Sequence, residues 1–107
     1  AAIPQLSWER KVDQEQIIER IRAHRGRLTE LGVSSLSLFG SVARGEATEA
    51  SDVDLLVRFE DRATFDRYMD LKLFLEDLLG RRVDLVTENA LREEVRPHVE
   101  QELLRVA

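Results

Sequence analysis

The sequence predicts an α+β domain, with helices packed on a small sheet of three or more strands in the order α-β-β-α-β-α. Three observations carry this. Apolar residues recur at helical spacing in some segments and run or alternate as in strands in others. Most segment ends carry a capping residue or a glycine. A length of 107 residues is enough for one modest core and not for two. The chain is therefore expected to be a single domain over 1–107, with 1–12 an N-terminal extension.

Each element has a local cause. Asp13, with Gln16 three positions on, reads as an N-cap with a capping box. Ile17, Ile21, Leu28 and Leu31 then follow at helical spacing and Gly32 stops them, which predicts one amphipathic helix over 14–31. The alternating "SSLSLF" (34–39), ended by Gly40, predicts a short half-buried strand, and "DVDLLVRF" (52–59) a stronger one. Thr64 opens a helix to Leu79, with Phe65, Tyr68, Leu71, Leu75 and Leu78 on one stripe and Gly80 as its stop. "RRVDLVT" (81–87) predicts a third strand. Asn89 caps a last helical stretch in which Pro97 starts a new helix, with Val95, Val99, Leu103 and Val106 on its apolar face.

Composition removes several function classes. The net charge is −5, so there is no overall basic footprint, and direct nucleic-acid binding is not expected. The absence of cysteine excludes disulfides and Cys-type zinc sites, and fits a reducing compartment. His24 and His98 have no ligand-like spacing and are expected on helix surfaces. The opening "AAIPQLSWER" lacks the basic and apolar regions of a secretory signal. No apolar run approaches the roughly 18 residues of a membrane span. A cytoplasmic location, without membrane contact, is expected.

The chemistry concentrates in "LFGSVARGEATEASDVDLLV", residues 38–57. Asp52 and Asp54 are two apart, so on a strand they share a face at roughly 6.6 Å. Two bare carboxylates at that distance repel by about 2–3 kcal/mol at an effective dielectric near 20. A bound cation would offset this. Val53, Leu55, Val57 and Phe59 take the other face. Asp84 sits likewise between Val83 and Leu85, so "VDLV" echoes "VDLLV". If the two strands are neighbours in register, three carboxylates converge. Oxygen ligands with open positions suit Mg²⁺ or Mn²⁺, which keep waters and take phosphate oxygens. Ahead of them, Gly40 permits a tight turn, the backbone N–H groups there and the Ser41 hydroxyl form an anion cradle, and Arg44 can neutralise a phosphate. Each residue alone has an ordinary reading as a strand end, a cap or a surface charge. Their conjunction at this offset arises by composition about once in a thousand chains of this length.

These residues carry a family resemblance. "GSVARGEATEASDVDLLV" resembles the Gly-Ser-x10-Asp-x-Asp signature of the DNA polymerase β-type nucleotidyltransferases, and in particular the minimal nucleotidyltransferases. The likeness runs from near Asp13 to the end of the chain. It implies a small mixed sheet flanked by helices. It also implies that Gly40 and Ser41 hold the nucleotide's phosphates, and that Asp52 and Asp54 bind two metals. Asp84 is the looser match to the family's third carboxylate, which assists the nucleophile and joins the metal site. Arg44 and Gly45 fall in a common Ser-x-Ala-Arg-Gly extension. Minimal nucleotidyltransferases are often antitoxins that use ATP to place AMP on a tyrosine hydroxyl of a helical HEPN-type ribonuclease, so the resemblance implies such a partner and Mg²⁺ as cofactor. Larger members carry a further helical domain that this chain lacks, so a partner is expected to complete the cleft. The competing expectation is a non-catalytic antitoxin or regulatory module that keeps the fold and acts by contact.

Overall fold

The computed structural model describes residues 13–48, 50–62, 64–90 and 96–107. The expected N-terminal extension, Val95 and the side chains of Asn89 and His98 lie outside the described residues, and with them the expected Asn89 cap and the surface position of His98.

The elements are α1 (Gln14–Ala23), α2 (Arg25–Glu30), β1 (Val33–Phe39), α3 (Gly40–Ala43), β2 (Val53–Phe59), α4 (Phe65–Leu79), β3 (Val83–Thr87), a 3-10 turn (Glu88–Ala90), α5 (Arg96–Glu102) and β4 (Leu104–Arg105). Asp13 caps α1 as expected, accepting from the backbone N–H groups of Glu15 at 3.0 Å and Gln16 at 3.4 Å. The single helix expected over 14–31 is two. At His24 (φ −111, ψ 27) the chain leaves helical geometry, and its Nδ1 lies 2.8 Å from the Arg20 carbonyl. The apolar stripe has a gap between Ile21 and Leu28, where His24 and Arg25 are exposed, and Gly26 adds a weak helix former. The turn instead rests on an edge contact of the His24 ring against Phe74 of α4, with centroids 6.0 Å apart. The helix breaks there.

Helix α4 has the expected bounds, and Leu71 and Leu75 of its expected stripe are buried, but Phe65 is 75% exposed and Leu79 is buried where Leu78 is only half-buried. Thr64 accepts from Arg67 N at 3.1 Å at its start, and Gly80, at φ 63, closes it in the left-handed conformation. The sheet is mixed, in the order β3-β2-β1-β4, with β1–β2 antiparallel and β2–β3 parallel. Strand β4 was not expected. Helix α5 ends at Glu102, and Pro97 is its second residue, not its first. Beyond it Val106 is buried and pairs its N–H with the Leu36 carbonyl at 2.8 Å. The free edge of β1 offers hydrogen bonds that a longer helix could not, so a helical pattern ends as a strand.

One sheet face, with Leu36, Leu38, Val53, Leu55, Val57, Val83 and Leu85, packs on Ile17, Ile21 and Leu28 of the first helices and on Leu71, Leu75 and Leu79 of α4. By the strand alternation, the other face carries Asp54 and Asp84. The outer edge of β3 is closed by α4: Val83 N–H donates to Glu76 at 3.0 Å, and the Tyr68 hydroxyl donates to the Leu85 carbonyl at 2.6 Å. Among the described residues no helix is long and apolar enough to cross a membrane.

Candidate active site

The β1–β2 register sets Phe39 opposite Asp54, so the next residue, Gly40, turns directly over that carboxylate. Gly40 has φ 70, and a Cβ placed there would collide with Asp54 Oδ2 and lie 3.0 Å from its Cγ. Only glycine fits. This contact explains the signature's spacing. Ten residues separate Ser41 from Asp52; the first two complete α3, and the chain re-enters the sheet as the neighbouring strand β2.

Helix α3 is one turn long and needs outside support. Val42 is buried beneath it, and the Gln14 side-chain amide donates to the Val42 carbonyl at 2.9 Å and to the Ala43 carbonyl at 3.0 Å. The Ala43 carbonyl is thus capped from α1, and the Val42 carbonyl, which also accepts from Gly45 N–H at 3.1 Å, gains a second donor. Gln14→Ala should cost about 1–2 kcal/mol in urea unfolding, through the half-buried Ala43 acceptor left unpaired. A loss no larger than at an exposed α1 position would refute that role. After α3, Arg44 donates to Glu46 at 2.8 Å, and its charge also reaches Asp54.

The three carboxylates are placed as follows. Asp54 and Asp84 are direct partners in the parallel β2–β3 register and share a side-chain hydrogen bond. Asp52 lies just ahead of β2, exposed, with Arg82 Nε 3.1 Å from its Oδ1. Asp54 is the strained member. Burial, then the negative charges of Asp84 and Asp52, then the hydrogen bond to Asp84 push its pKa up from the ordinary 3.8 to about 6, against a smaller opposing pull from Arg44.

The residues present fit a hard divalent cation: the donors are all carboxylate oxygens, and Arg82 already stands as a counter-cation at one of them. Among the described residues no three acids or imidazoles are gathered tightly enough to hold an ion unaided. Asp52 and Asp84 are exposed and Asp54 is half-buried, so the carboxylates stand on an open rim. Two contributors were missed by sequence reasoning. Arg82 could have been found from its place two residues before Asp84, one step ahead of the paired run. Gln14 gave no local signal.

The nucleotidyltransferase domain family matches residues 16–106. The chain belongs to it. This minimal nucleotidyltransferase is 42% identical over 93 residues to the protein adenylyltransferase MntA of Thermococcus cleftensis, across 86% of this chain and 94% of that one. A solved structure of a proposed minimal nucleotidyltransferase superposes with a TM-score of 0.77 at 44% identity, covering 87% of this chain and 95% of that one. At 20% identity and a TM-score of 0.64, the nucleotidyltransferase shares its fold with a chain from the Shewanella oneidensis complex of a tri-AMPylated HEPN toxin with an MNT antitoxin, over 89% of this chain and 72% of that one. The mixed sheet flanked by helices agrees with the expected fold.

Proposed function

We propose that this nucleotidyltransferase moves AMP from ATP to a hydroxyl on a partner protein, the partner being a helical HEPN-type toxin and the chain its antitoxin. The observation that supports it most is the register setting Asp54 against Asp84 beside the Gly40–Ser41 turn. The acceptor class draws on the protein adenylyltransferase relative and on the AMP-bearing toxin of the Shewanella complex.

In this reading Asp52 and Asp54 hold the divalent cations, Mg²⁺ or Mn²⁺, with Asp84 beside them. Such ions, when bound, supply charge stabilisation for the attacking and leaving oxygens. Gly40 brings the turn close to Asp54, Ser41 donates its hydroxyl to a phosphate oxygen, and Arg44 balances phosphate charge. The Asp84 side chain is exposed, so a protein acceptor can reach it. It takes the proton from the acceptor hydroxyl as that oxygen attacks the α-phosphorus. The bond to the bridging oxygen breaks, and pyrophosphate leaves. Positioning and charge neutralisation are most of the work, and this set supplies both.

The contact-only module draws on one observation, the Arg82 pairing that occupies Asp52. A transfer assay with α-labelled ATP, Mg²⁺ and the purified partner separates the two. The wild type should label the partner and Asp52→Ala should not. Partner inhibition by a wild type that transfers no label would establish the contact-only reading. In the same assay Ser41→Ala should raise the KM for ATP about tenfold, the worth of one charge-assisted hydrogen bond, without lowering the melting temperature. A comparable loss of stability would make Ser41 a structural cap.

A further inference from the structure

The carboxylate cluster already has a cation beside it that belongs to the chain. The Arg82 carbonyl accepts from Val53 N–H at 2.9 Å, which fixes its backbone next to Asp52 at the mouth of β2 and β3. Its guanidinium meets Asp52, with Nε 3.1 Å from Oδ1 and 81% of the side chain open to solvent. The stem is anchored and the head can move. Of the three carboxylates, Asp54 and Asp84 are tied to each other, while Asp52 is the one held in an ion pair by Arg82.

We propose that Arg82 is a positioning residue that couples metal loading to nucleotide loading: it guards Asp52 in the empty site and swings to the triphosphate when Asp52 takes a cation. This rests on the nucleotidyl-transfer reading above. Two physical points carry it. An exposed ion pair is weak, so exchanging it costs only a factor of about two to five in affinity. A guanidinium fork also binds phosphate oxygens in pairs, which makes a triphosphate a better partner than one carboxylate oxygen at the same exposed spot. Bare metal must displace Arg82 at a loss. Metal arriving with nucleotide gives Arg82 a new anion, so each ligand helps the other.

Calorimetric Mn²⁺ titrations of the wild type, Arg82→Gln, Asp52→Asn and the double variant, each with and without α,β-methylene ATP, test this without turnover. Arg82→Gln should bind Mn²⁺ alone about two- to fivefold tighter. The tightening of Mn²⁺ produced by the nucleotide analogue should shrink about tenfold, and Arg82→Lys, which keeps the charge without the fork, should fall between. In the Asp52→Asn background Arg82→Gln should leave Mn²⁺ affinity unchanged. The proposal is overturned if Arg82→Gln binds bare Mn²⁺ no tighter, or if the tightening survives in the Asp52→Asn background and so reflects general charge. A wild type that takes up Mn²⁺ neither alone nor with the analogue overturns the nucleotidyl-transfer reading itself, and the coupling with it.

Discussion

Asp54→Asn should raise the melting temperature of the metal-free chain near pH 8 while abolishing transfer. The expectation follows from the pKa of about 6 that burial, Asp84 and Asp52 impose on this carboxyl. The folded chain holds the Asp54 proton more tightly than the unfolded chain, whose carboxyl titrates near the ordinary 3.8. Below about pH 4 the group is protonated in both states and costs nothing. As pH rises through about 6 it ionises in the folded state against its neighbours, and stability falls; above that the loss is complete. In a dry site the rise would be worth up to about 3 kcal/mol. Solvent reaches this carboxyl, and about 1 kcal/mol is the expected effect, or about 4–8 °C in melting temperature. The amide of Asp54→Asn does not ionise and can still donate to Asp84. The two proteins should therefore melt together near pH 4 and separate by pH 8 in the presence of EDTA. A variant that melts below the wild type at pH 8 would show that Asp54 is a structural hydrogen-bond partner.

Gly40→Ala should be the most damaging small substitution in the chain. It forces an alanine into φ 70, at about 1–2 kcal/mol. It also drives a methyl group into the Asp54 carboxylate, so the turn or the strand must shift. A total loss of about 2–4 kcal/mol in urea unfolding is expected. Transfer should fall by more than about 100-fold, because a displacement near 1 Å at reacting groups costs that much. Gly80→Ala is the control. Its φ is 63 but a Cβ there would have no neighbour within 4 Å, so it should cost only the backbone term and leave transfer intact. Adding Gly40→Ala to Asp54→Ala should cost less than the single change, by about 1–2 kcal/mol, since the colliding oxygens are gone. Equal costs in both backgrounds would mean that Gly40 is needed for its backbone conformation alone.

Much of this was written locally in the chain. The Asp13 and Thr64 caps, the Gly80 stop, the centre of the α4 stripe at Leu71 and Leu75 and the three main strands depend on residues a few positions apart, so composition and periodicity reveal them. The Gly-Ser pair and the Asp-x-Asp triplet are legible for the same reason: one turn, one loop and one strand start supply all four residues. The structure decided what depends on distant partners. The break at His24 comes from an apolar gap that becomes decisive only when α1 and α2 must both pack on the sheet. Strand β4 replaces the end of the last helix because the free edge of β1 is there to pair with it, through bonds from Leu36 to Val106 and Ala107 that no local window contains. The Asp54–Asp84 contact joins positions thirty residues apart, and only the parallel register of β2 and β3 sets them opposite each other. The same holds for Gln14 beneath α3 and Arg82 beside Asp52. By itself the sequence determined which residue types with a chemistry suited to phosphate and metal are present, because backbone geometry and side-chain chemistry are local properties. Only the tertiary structure decided which of them meet, because strand register and edge pairing are settled by the whole core at once.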